Sequence, residues 1–145
     1  MSDVFARGRS GSFEFIDADA VLTPVETDAF LRRLNNELAW AHLAVRTARA
    51  REVECEKAFM VAKAPVLLEE EVPKVGNRAG EMNKTAADAW WAERLPEPYW
   101  ALRSSQLERR NAQDYATLVQ NQVEIMRSLN VNAKAIYESY RGGGR

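Results

Sequence analysis

Between Thr23 and Pro65 no residue breaks a helix, and that uninterrupted run is the strongest constraint on what this chain can become. A helix of about forty residues would be about 60 Å long, longer than a compact domain of this size is wide. Its start is well marked. In "LTPVETDAF", Thr23 can cap the free amides, Pro24 suits the first helical position, and Glu26 completes a capping box. Its apolar pattern explains how such a length could be stable. Leu31, Leu34, Leu38, Ala41, Val45, Ala48, Glu52, Cys55, Phe59 and Ala62 follow alternating steps of three and four, a heptad seam broken only at Glu52. Alanines along it would let a second helix come close. That second helix could belong to the same chain, as a hairpin, or to another subunit.

The rest of the chain supplies further helices. Residues 1–22 are expected to be a flexible arm carrying a short extended piece, "SFEFID", whose Phe13, Phe15 and Ile16 would dock on an apolar surface. From Pro65 to Thr85, two prolines and two glycines without periodicity predict a connector. Thr85 and Asp88 suggest a capping box opening a short helix over about 85–95, stopped by "PEP". A second long helix is expected over about 99–129, with Leu118, Val119, Val123, Ile125, Met126 and Leu129 as a wide apolar stripe. Asn130 suits a left-handed terminus, and a short C-terminal helix would follow over about 132–141, with Ile136, Tyr137 and Tyr140 as its adhesive face. The expected fold is therefore all-α: an arm, then one helical domain over 23–145, a hairpin or bundle that oligomerises. The first long helix is expected over about 24–64.

Function is constrained chiefly by exclusion. With 20 Lys and Arg against 21 Asp and Glu, the net charge is −1, so any nucleic-acid site must be a local patch. Cys55 is the single cysteine and forms no internal disulfide, which fits a reducing cytoplasm. The apolar runs are shorter than a membrane span requires, and the first dozen residues lack the apolar core of a signal peptide. No Cys–His pair at a known spacing, no glycine-rich phosphate loop and no ligand cluster around His42 points to catalysis, a cofactor or a metal. Cys55 lies on the seam, where a small packed thiol is expected. "LLEEEV" reads as a solvated acidic face.

A binding reading rests on local charge. From Arg32 to Lys63, seven cations stand against four glutamates, a local balance of +3. Arg46, Arg49, Lys57 and Lys63 on the long helix, then Lys74, Arg78 and Lys84 in the connector, could track phosphates, with Trp90 and Trp91 close behind. Cations along a backbone and aromatic faces for bases are what single-stranded nucleic acid requires. The alternative places the tryptophans in the core and the cations on a solvated flank.

Several motifs in matching order resemble one family. "FIDADAVLTPVE", the helix ending "EKAFMVAKAP", "EMNKTAADAWW" and "RSLNVNAKAIYESYR" together resemble the small recombination mediators of T-even-like phages, the UvsY type, over roughly residues 13–141. The resemblance implies a helical, ring-like homo-oligomer that binds single-stranded DNA. It also implies assistance in loading a RecA-like recombinase while single-strand-binding protein is displaced. The family's basic motif would fall on "VAKAP", where Lys63 matches one basic position, Lys57 lies just upstream, and Pro65 departs from a second. Assembly would then use Leu38, Val45 and Phe59 of the seam with Leu118, Ile125, Met126, Ile136 and Tyr137 further on. Ring formation would multiply a weak patch into a continuous track. An oligomeric coiled-coil scaffold without DNA affinity, or a small helical adaptor for a host protein, would draw on the same helices.

Overall fold

A computed structural model describes Phe13, Phe15 and residues 22–143. The fold is all-α: α1 over Pro24–Glu69, α2 over Lys84–Arg94 and α3 over Pro96–Gly142. The expected arm over 1–22 lies mostly outside the described residues. Among those described there is no strand, only an isolated bridge between Val75 and Met82.

The start of α1 follows the local code. The Thr23 amide donates to Glu26 Oε2 at 2.8 Å and the Glu26 amide donates to Thr23 Oγ1 at 3.2 Å, a reciprocal capping box. Its end does not. Pro65 lies inside the helix, which runs on to Glu69. A mid-helix proline removes one hydrogen bond and costs about 3 kcal/mol. Burial of Val66 among Phe59, Trp91 and Tyr99 offsets that loss.

Two further boundaries differ from expectation. Asn83, not Thr85, caps α2: its side chain accepts from the Ala86 amide at 2.8 Å. And "PEP" begins a helix rather than ending one, since Pro96 takes the first-turn position where a missing N–H costs nothing. From there α3 continues for 47 residues through Asn130, so the separate helices expected over 99–129 and 132–141 are one. Among the described residues, no non-glycine residue has positive φ. Asn130 is instead a buried helical residue whose Nδ2 donates to Asp28 Oδ1 at 2.7 Å. That tertiary bond replaces the left-handed cap its type suggested.

The chain divides into two compact units. Unit 1 joins the described residues up to Ala44 with those from Gln113 onward; unit 2 is Val45–Ala112. In unit 1, Phe30 and Leu34 of α1 pack on Val119, Val123 and Met126 of α3, with Leu31, Leu38 and Tyr115 at the margin. Phe13 also packs there, its ring 5.8 Å from that of Phe30; of "SFEFID" only Phe13 and Phe15 are among the described residues. Buried Glu37 accepts from Tyr115 Oη at 2.7 Å. In unit 2 the core is aromatic: Phe59, Trp91 and Tyr99 meet edge to face at 5.9–6.1 Å around Phe59.

The heptad seam is therefore closed within the chain. Each of its ten positions is buried or half-buried. Its one break is answered too, because Glu52 pairs with Arg109 of α3. Beside it Arg51 meets Glu108 at 3.3 Å. The hairpin alternative holds for these contacts, antiparallel in each unit.

Candidate nucleic-acid interface

Unit 2 carries most of the cations singled out from the sequence, yet its twelve Lys and Arg nearly balance eleven Asp and Glu. Any affinity for a polyanion must therefore come from placement rather than total charge. Arg46 and Arg49 are exposed on α1. Lys57 is exposed and ion-paired with Glu54 at 3.2 Å. Lys63 is placed differently from expectation. Its ammonium lies 4.4 Å from the Phe59 ring centroid and 4.6 Å from that of Trp91. It covers the aromatic core as a cation–π partner.

The connector brings the other cations together. Residues 74–82 fold into a tight loop, with the Met82 amide donating to Lys74 O at 2.7 Å and the Gly76 amide to Met82 O at 3.0 Å. Glu81 is enclosed by it: Oε2 accepts from the Arg78 amide at 2.9 Å, and it occupies the space a Cβ on Gly76 would need. Gly80 turns the chain at φ +87°, in the left-handed region that favours glycine. Between this loop and α2 is a concavity of about 810 Å³, lined by Lys74 and Arg78, by Glu71 and Glu81, and by Trp90. Trp90 stands at 90° to buried Trp91, with ring centroids 4.9 Å apart. One tryptophan is core and its neighbour lines the opening.

That arrangement unites three of the required elements. A half-buried aromatic held by a buried one can stack a base, and two cations on the same loop can meet the flanking phosphates. Glu71 and Glu81 are of the opposite sign and restrict where an anion can rest. Lys84 lies in the first turn of α2 and is exposed, outside this lining.

Sequence reasoning missed a second cluster in unit 2. Arg103 and Arg110 lie seven residues apart on α3 and, with Gln106 and Leu107, line a shallow depression of about 180 Å³. Their spacing, two turns on one face, was the available signal.

The proposed assembly residues divide by location. Leu38 packs at the unit 1 core, Met126 and Phe59 are core residues, and Val45 is buried, so packing within the chain already covers these four. Leu118, Ile125, Ile136 and Tyr137 are exposed on α3. Among the described residues, no group of three or more His, Cys, Asp or Glu side chains could hold a metal ion, and no helix is long and apolar enough to cross a membrane. In comparison with known proteins, no family model, curated protein or solved structure matches this chain.

Proposed function

We propose that this protein is a non-catalytic accessory of DNA recombination that binds single-stranded DNA and assists the loading of a RecA-like recombinase against single-strand-binding protein. The observation that carries the proposal is the concavity where Lys74, Arg78 and Trp90 converge. The similarity of the motif order to the phage recombination mediators supports the choice of single-stranded DNA and of a recombinase partner. With one such site on a nearly neutral chain, useful affinity requires several copies held together. The exposed row Leu118, Ile125, Ile136 and Tyr137 on α3 is suited to that assembly. The same row supports a second reading, a coiled-coil scaffold that assembles without binding DNA.

Anisotropy of a labelled single-stranded oligonucleotide across a salt series separates the two. Binding should weaken linearly in log–log form, and Lys74→Ala with Arg78→Ala should flatten the slope by about 1.4, or about 0.7 for each phosphate no longer neutralised. Trp90→Ala should cost about 1–3 kcal/mol of binding. Unaltered affinity in the double variant at low salt would remove the concavity from the binding site. A stable oligomer with no affinity at the lowest salt would favour the scaffold.

A further inference from the structure

The outer face of α1 in unit 2 carries a second apolar stripe. Val53, Met60 and Leu67 recur every seven residues, as do Ala50, Lys57 and Ala64, and all six are exposed. Val61 and Leu68 flank them and are 73% and 88% exposed. Alternating steps of three and four make this a heptad seam on the side of the helix away from the core. Large side chains left in water along a continuous ridge mark a surface that something covers.

We propose that a second copy of this chain covers it, with the two α1 helices antiparallel about a two-fold axis at the level of Ala58 and Phe59. The stripe is self-complementary in that register and in no parallel one. Leu67 of one copy then faces Ala50 of the other, Val53 faces Ala64, and Met60 faces the aliphatic stem of Lys57. Every layer pairs a large side chain with a smaller or flexible one, which lets the helices approach without voids. The charges match as well. Arg46, in phase with the stripe at its N-terminal end, comes beside Glu71 just past the helix end of the second copy, and Arg49 approaches the acidic run 69–71. Both ends gain this match, because the contact is isologous. A parallel pairing would instead oppose Lys57 to Lys57 and Ala64 to Ala64, leaving like charges and gaps. Glu71 thus acquires a partner, as Glu70 of the same acidic run already has in Arg94. The apolar stripe lies outside the concavity, which this surface meets only at Glu71, and the inference stands whether or not DNA binds.

The test uses the full chain. Sedimentation should show at least twice the 16.4 kDa chain mass for the wild type. Met60→Glu or Leu67→Glu should halve the mass with unchanged helical content by circular dichroism, because both residues are exposed in the single chain, and melting should fall only by what association contributed. Arg46→Glu removes the pair at both ends and should weaken association at least about a hundredfold, about tenfold for each charge pair lost. Glu71→Arg in the same chain should restore it. In a Cys55→Ser background, Val53→Cys mixed with Ala64→Cys should form a disulfide-linked dimer, whereas neither should link to itself. A monomeric wild type, a self-linking Val53→Cys variant, or a mass unaltered by either glutamate substitution would overturn the inference.

Discussion

Lys63 shows how one side chain can be assigned by type and reassigned by its surroundings. A lysine among the cations of the long helix is a natural phosphate contact, yet here the ammonium covers Phe59 and Trp91. Its removal should be felt in folding first. Lys63→Ala is expected to destabilise unit 2 by about 1 kcal/mol, because the cation–π attraction and the cover over the rings both disappear. It should leave the salt slope of the proposed DNA binding unchanged; denaturant unfolding and the salt series read the two effects separately. Gly80 makes the complementary point. Its φ of +87° was not visible in composition, although glycines in an aperiodic stretch did signal a turn. Gly80→Ala should cost about 1 kcal/mol, measured by the shift in denaturant midpoint, although the space around a new Cβ is open.

The beginning of α1 and the expected breaks at Pro65 and Asn130 obeyed different rules in this molecule. The start of α1 was legible because Thr23 and Glu26 satisfy each other's amides locally, with no need of the rest of the chain. Thr23→Ala should therefore lower stability by about 1 kcal/mol, seen as a fall in melting temperature, with fraying confined to the first turn by hydrogen exchange. The ends were misread because Pro65 and Asn130 have alternatives that only packing provides. Val66 is buried beyond the proline, and Asp28 receives the asparagine amide. Asn130→Ala is expected to cost about 1 kcal/mol, because it removes a part-buried hydrogen bond to a carboxylate; the change in unfolding free energy measures it.

At the level of the whole molecule, two small cores of different character share the chain. Unit 1 is closed mainly by aliphatic side chains around Leu34, which is fully buried, with Phe30 beside them; unit 2 is closed by aromatic ones around Phe59. Leu34→Ala should cost about 3 kcal/mol and Phe59→Ala about 3–4 kcal/mol in global unfolding. Native-state hydrogen exchange should show the first effect mainly in α1 residues up to Ala44 and in α3 beyond Gln113, and the second mainly in Val45–Ala112. A uniform fall in protection in both variants would mean that the units open together.

Periodicity, capping chemistry and charge balance were readable from the residues alone. They determined an all-helical fold, a seam along the first long helix, and the need for a local rather than global site for any polyanion. Those properties depend on neighbours within a turn or two of each residue. Tertiary structure decided where the long helices stop, that the seam closes on the same chain, and which cations meet an aromatic ring or an ion-pair partner. Each of those outcomes is a competition between a local preference of about 1–3 kcal/mol and burial of comparable size. The winner depends on residues well outside the local turn, from Trp91 beside Val66 to Asp28 beside Asn130.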